Sequence, residues 1–236
     1  MLRSLLLLTL LVFIVPLVVL AQGLGYKLTP IGEPVDLEVA NVSAGGDNYL
    51  LLQGEVESSG TFAFDLSTET AASIALNETD LFTEVVAGGV YTLLDRAGEL
   101  FVTDGTQAGT VAVLPNPTNS SDSGNGIIFF DGKFYGLNLR SSGSELYSIE
   151  PTTGIRTVVK TAGLGYDAFG NNLVIYNGKL TYALRNEDND RMMIWSSDGT
   201  TAGTEVIAEL SSFELGDVAV VDDPLLVYQD GHLFTL

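Results

Sequence analysis

An all-β chain that repeats one four-stranded unit around a ring, a β-propeller, is the fold class the sequence predicts, on three observations. Glu99-Leu100-Phe101-Val102-Thr103-Asp104-Gly105-Thr106-Gln107-Ala108-Gly109-Thr110 returns as Met193-Ile194-Trp195-Ser196-Ser197-Asp198-Gly199-Thr200-Thr201-Ala202-Gly203-Thr204. A second kind of glycine turn recurs at Gly46, Gly89, Gly132, Gly178 and Gly231, in steps of 43, 43, 46 and 53 residues, which is the size of a four-stranded blade. After the N-terminal leader, no window carries an apolar stripe at helical spacing that is free of Gly, Pro or β-branched runs.

The leader comes first. Arg3, an apolar run from Leu5 to Leu20, and Val19-Leu20-Ala21 before Gln22 follow the order of a secretory signal, so residues 1–21 are expected to be cleaved after Ala21. An uncleaved anchor is the rival, because the run is near the lower limit for spanning a bilayer. Pro16 and the small residue at the cleavage site favour the signal. Residues 22–236 then form a single propeller domain, incomplete at the C-terminus, that acts outside the cell or at its surface.

Each unit reads as an inner strand, a glycine turn, a second strand, a loop, a strand bearing an aromatic residue, a tight turn and an outer strand. The first two are clearest in Ile127 to Tyr135 around Asp131-Gly132 and in Leu173 to Tyr182 around Asn177-Gly178. Asp-Gly and Asn-Gly between β-rich runs fit a type I′ hairpin, which needs positive φ at both central residues. Leu225 to Phe234 around Asp230-Gly231 reads the same way and is taken as the first two strands of a fifth unit. Gly45-Gly46 and Gly88-Gly89 occupy that turn in the first two units. Outer strands are expected at Val111 to Leu114, Thr157 to Val159 and Glu205 to Ile207. Four units are evident, with part of a fifth. Tyr26 to Ile31 is unassigned and could supply a missing strand and close a five-bladed ring; the other reading is a truncated chain from a larger ring.

The repeated positions are Phe62, Phe101, Tyr147 and Trp195 for the aromatic, and Asp65, Asp104 and Asp198 for the turn carboxylate. Gly105, Gly109, Gly199 and Gly203 complete the two strong copies. Their chemistry is that of a turn: Asp accepts from backbone N–H groups two residues on, and Gly takes the left-handed conformation. Trp195, at the repeated aromatic place, is expected between neighbouring blades.

These two copies resemble the bacterial ELWxxDGTxxGT repeat of exported proteins. Glu99, Leu100, Asp104, Gly105, Thr106, Gly109 and Thr110 match it, with Phe101 in the tryptophan place; Trp195, Asp198, Gly199, Thr200, Gly203 and Thr204 match it again. A third copy keeps Glu145 and Leu146 but has Glu150-Pro151 for Asp-Gly, and the first keeps little beyond Phe62 and Asp65. The resemblance implies an extracytoplasmic propeller, often part of a larger surface protein, with no shared catalytic residues.

Thirty acidic against ten basic residues give a net charge of −20, or −21 once Arg3 leaves with the leader. Nucleic acid and anionic membranes are poor partners for such a surface, and the charge favours a soluble monomer if the ring is closed. No membrane insertion is expected after signal cleavage. With no Cys and one His, neither a disulfide framework nor a zinc site can be assembled. His232 reads as a turn-flanking residue. Asn186-Glu187-Asp188-Asn189-Asp190 is the densest oxygen cluster, and Glu187, Asp188 and Asp190 are weak candidates for calcium, lacking the spacing of a calcium loop. No cofactor is otherwise expected. Arg96, Arg140 and Arg185 recur near the end of the second strand and read as structural. Asn41, Asn77 and Asn119 head formal glycosylation sequons. The function that follows is a binding or structural module for an unidentified protein or carbohydrate. The alternative is a glycosidase-like hydrolase with carboxylates facing each other in the channel.

Overall fold

The computed structural model describes residues 38–44, 47–56, 58–67, 70–74, 84–96, 99–115, 126–138, 143–163, 165–168, 173–186, 188–189, 191–210, 215–220, 225–229 and 232–235. The leader, Tyr26 to Ile31, Gly45-Gly46, Gly231, and the sequon residues Asn77 and Asn119 lie outside them. All regular structure among the described residues is β, in antiparallel sheets whose strands follow one another in chain order.

Blade one comprises β1 (Glu38–Ala44), β2 (Tyr49–Val56), β3 (Ser58–Asp65) and β4 (Thr70–Ser73). Blade two comprises β5 (Glu84–Gly88), β6 (Tyr91–Arg96), β7 (Glu99–Thr103) and β8 (Val111–Ala112), and blade three β9 (Ile128–Phe130), β10 (Lys133–Asn138), β11 (Glu145–Ile149) and β12 (Arg156–Thr161). In blade four the inner strand is in two pieces, β13 (Tyr166–Ala168) and β14 (Val174–Tyr176), both paired to β15 (Lys179–Asn186). It continues with β16 (Arg191–Ser197) and β17 (Glu205–Leu210). Asp131 and Asn177 have φ of 43° and 50°, and the glycines after them 80° and 69°. Both central residues are therefore left-handed, as a type I′ turn demands.

The fifth sheet corrects the sequence reading. Its strands are β18 (Leu215–Val220), β19 (Leu225–Gln229) and β20 (His232–Thr235), with β19 in the middle. β18 lies against β14, as β5 lies against β9 and β1 against β5, so β18 is the inner strand. The hairpin at Asp230-Gly231 thus joins the second and third strands, and three strands of this blade are written where two were expected. The connection from β18 to β19, residues 221–224, lies outside the described residues, and its sequence holds no glycine to mark it. The step of 53 residues was the sign: measured to that connection it returns to the spacing of the others. Outer strands also differ in length. β8 is shorter than expected, and Leu114 instead bridges to Ile155 of the next blade.

Neighbouring sheets pack face to face, and each seam holds its own apolar cluster. Tyr49, Leu51, Ala63 and Ile74 meet Leu94 and Phe101 between blades one and two. Leu93, Leu100, Val102 and Val113 meet Ile127, Phe134, Tyr147 and Ile149 between blades two and three. Tyr135, Leu137, Leu146 and Val159 meet Leu173, Leu180, Tyr182, Leu184 and Trp195 between blades three and four. Ala183, Met192 and Ile194 line the far face of blade four. Successive residues of a strand point to opposite faces, so a strand packed on both sides must be apolar throughout. Leu93 and Leu94 therefore serve different seams, as do Leu146 and Tyr147. Each fully buried Leu or aromatic adds about 1.5–3 kcal/mol.

Candidate functional site

The part of the molecule that the sequence repeats most faithfully is the turn joining the third and fourth strands, and its geometry explains the aspartate, the glycines and the threonines. In blade two the Asp104 carboxylate accepts from the Thr106 backbone N–H at 2.9 Å and from the Thr106 hydroxyl at 2.7 Å. The Thr106 hydroxyl accepts from the Gly109 N–H at 2.9 Å, and the Thr110 hydroxyl donates to the Thr106 carbonyl at 2.7 Å. Thr103 and Thr110 share a hydroxyl hydrogen bond at 2.8 Å, and the Thr103 hydroxyl accepts from the Gly105 N–H at 3.0 Å.

Blade four repeats the network with Asp198, Thr200, Gly203, Thr204 and Ser197, at 2.9, 2.7, 3.0, 2.5, 2.7 and 3.1 Å. Serine replaces threonine in one place without loss, because only the hydroxyl is used. A Cβ on Gly109 or Gly203 would come within 2.1 Å of the Asp104 or Asp198 carboxylate, so that second glycine keeps the space the carboxylate occupies. Hydrogen bonds from the Thr200 hydroxyl and N–H hold the Asp198 carboxyl below the usual carboxylate range.

The worn copies keep half of this. Asp65 accepts from the Ser67 N–H at 2.7 Å and from the Ser67 hydroxyl at 2.6 Å, which is the same turn with Leu66 in the glycine place. Within the turn the Glu150 carboxylate takes a long hydrogen bond, 3.3 Å, from the Thr152 hydroxyl while pairing outward with Lys133 at 3.4 Å, and the turn closes through its backbone: the Glu150 carbonyl accepts from the Gly154 N–H at 2.8 Å.

The turn also docks on the preceding blade. Gly105 (φ 85°) lies beneath the Tyr49 ring, and Gly199 (φ 88°) beneath Tyr135. Tyr49 carries its hydroxyl onward, sharing a hydrogen bond with Thr92 at 2.8 Å and donating to the Thr103 carbonyl at 2.9 Å. The Thr201 hydroxyl donates to the Val159 carbonyl at 2.7 Å. Burial first, then the carboxylates of Asp131, Asp198 and Glu150, raises the pKa of Tyr135. Between blades two and three the backbone does the work: Leu114 N–H donates to Gly154 O at 2.9 Å and Arg156 N–H to Leu114 O at 2.8 Å.

The signature aromatics Phe101, Tyr147 and Trp195 lie at these seams. Trp195 is 8% exposed and stacks on Tyr182, with ring centroids 6.1 Å apart and 9° between planes. Tyr147 is fully buried, with the Arg156 guanidinium 4.3 Å above its ring. Arg156 also pairs with Glu145 at 3.2 Å, both largely out of water. Sequence reasoning missed this pair; the signal was a basic residue placed where the outer strand returns past the aromatic. Phe62 stands in β3 opposite Leu52 and Ser73.

The remaining candidates do not assemble. Asp188 is exposed, its N–H donating to the Asn186 side chain at 3.0 Å, while Glu187 and Asp190 lie outside the described residues. Among the described residues no three acidic or histidine side chains gather where they could hold a metal. Arg185 is half-buried in β15; the side chain of Arg96 and all of Arg140 lie outside the described residues. His232 begins β20 opposite Gln229. No helix among the described residues is long and apolar enough to cross a membrane.

No known protein family matches the sequence, and no curated protein does. Among solved structures the chain is similar to the WD40 domain of SCAP from fission yeast, at 14% identity, covering 89% of this chain and 55% of that one, with a TM-score of 0.49. It is similar to the WD40 β-propeller domain of Doa1 at 15% identity, covering 90% and 69%, with a TM-score of 0.40. The computationally designed Ika8 protein matches at 12% identity, covering 84% and 57%, with a TM-score of 0.44. The chain spans little more than half the length of the first and last of these.

Proposed function

We propose that this chain is an exported propeller module of the ELWxxDGTxxGT-repeat kind, binding a protein or carbohydrate at or outside the cell surface and performing no chemistry of its own. The observation that carries this reading is the twice-repeated network of the Asp-Gly-Thr turn. Its carboxylate and hydroxyls bond to the turn itself, and its first glycine is covered by a tyrosine of the preceding blade. The motif is thereby a fastening, and recognition falls to the loops between strands, where sequence is free to vary. The leader and the acidic surface support export and solubility.

Fractionation of cells producing the full chain tests the first half: an extracytoplasmic product beginning at Gln22 is expected, and a membrane-bound product retaining Met1 would overturn it. Incubating the purified product with a panel of glycans tests the second. Retention of a glycan or protein without turnover is expected, and glycan cleavage that disappears on replacing a carboxylate would establish the hydrolase instead.

A further inference from the structure

The seam between blades two and three ends in a buried polar layer. β10 alternates: Phe134 joins the cluster facing blade two, while Tyr135 and Leu137 join the cluster facing blade four. Asn138 therefore faces blade two, and so does its cross-strand partner Glu145. Arg156 comes from β12 to the same face, pairing with Glu145 and lying over Tyr147. Gly136 leaves the room, since a Cβ there would meet the Tyr147 hydroxyl at 2.4 Å. Asp95, buried and not without a partner of its own, stands on the face of β6 that looks at blade three, two residues after Leu93.

Asn138 is 1% exposed, yet neither its amide nitrogen nor its oxygen has a hydrogen-bond partner among the described residues, and the Arg156 Nε–H is buried in the same condition. An unsatisfied buried amide is destabilising, and native interiors rarely leave one so.

The geometry points to an internal water site between blades two and three, with the Asn138 amide as its principal ligand and the Arg156 Nε–H as a further donor. The ligand must be able both to donate and to accept a hydrogen bond. It must donate to the Asn138 oxygen and accept from the Asn138 nitrogen and from Arg156. Water does both, with the two to four polar partners that buried waters have. The site does not depend on the function proposed above.

Replacing Asn138 with Leu tests it on the full chain. Filling the site with an apolar side chain expels the water and strips Arg156 Nε of its acceptor, so the melting temperature is expected to fall by about 2–8 °C. Asn138→Ser, which keeps a hydrogen-bonding group and leaves room for water, is expected to lose less. If the amide were simply unsatisfied, Asn138→Leu would melt above the parent, and that result overturns the inference. Electron density at high resolution with no water within hydrogen-bonding distance of the parent's Asn138 amide overturns it as well.

Discussion

Gly199 sits where two demands coincide, and replacing it with alanine separates them. Its φ of 88° lies in the left-handed region, and a Cβ there would stand 2.5 Å from the Tyr135 hydroxyl and 3.1 Å from the ring carbon bearing it. An ordinary C···O contact is about 3.3 Å or more, so the hydroxyl must retreat by roughly 0.8 Å. Tyr135 is poorly placed to yield, being buried and packed edge-on against Phe130 at 5.9 Å. The left-handed conformation costs an alanine about 1–2 kcal/mol and the crowding about 1–3, so Gly199→Ala should lose roughly 2–4 kcal/mol. Gly132 is the control: its φ is 80°, but nothing lies within 4 Å of its Cβ position, so Gly132→Ala should lose only about 1–2 kcal/mol. Urea unfolding followed by circular dichroism and by the fluorescence of Trp195, the only tryptophan in the chain, measures both. Placing Gly199→Ala in a Tyr135→Phe background removes the clashing oxygen and should return about half of the excess, visible as non-additivity. Equal losses for Gly199→Ala and Gly132→Ala, or strict additivity of the double variant, would refute the docking of this turn on the preceding blade.

Trp195→Ala should lose about 3–5 kcal/mol as the truncation of a buried aromatic; a loss below about 1 kcal/mol would place the ring in water. Arg156→Met strands the Glu145 carboxylate between blades and should lose about 3–5 kcal/mol, with Glu145→Leu in the same chain restoring most of it. The Asp198 carboxyl is held low in the folded state, so its stabilisation is present above the ordinary carboxylate pKa and disappears as pH falls through its lowered value. Asp198→Ala should accordingly melt below the parent at neutral pH and converge with it in strong acid; a gap independent of pH would refute the hydrogen-bonding role.

Residues that act within their own hairpin were legible before any coordinates. The Asp-Gly-Thr turn needs only a carboxylate, a hydroxyl two residues on and a glycine, all adjacent in the chain, and the structure closes that turn with hydrogen bonds of nearly the same length in both strong copies. Asp131-Gly132 and Asn177-Gly178 were readable for the same reason. Asp230-Gly231 misled because its chemistry specifies a turn without saying which turn of the blade it is. The connection between β18 and β19, 221–224, carries no glycine in its sequence. What joins blades was hidden. Tyr49 reaches Thr92 and Thr103 across 43 and 54 residues, and Arg156 finds Glu145 only after two strands have been laid side by side. Such partners leave no local pattern: the tyrosine's lie in the next repeat, and the arginine's lies on the neighbouring strand of its own blade, eleven residues back. The unpartnered amide of Asn138 belongs to the same class.

The docking of the turn between the third and fourth strands has a direction. Gly105 leans on Tyr49, Gly154 on the Ala112 carbonyl and Gly199 on Tyr135, all three toward the blade before. A blade therefore has a head, its glycine turn, and a tail, the tyrosine or carbonyl that receives the next turn. The two surfaces are not self-complementary, so a seam of this kind cannot form between two heads or two tails, as a two-fold dimer would require. Any sheet added to the row, from this chain or another, must enter in the same sense as those already there. The succession of blades is a head-to-tail polymer of one joint, and a lesion in one joint passes to its two neighbours before it reaches the rest.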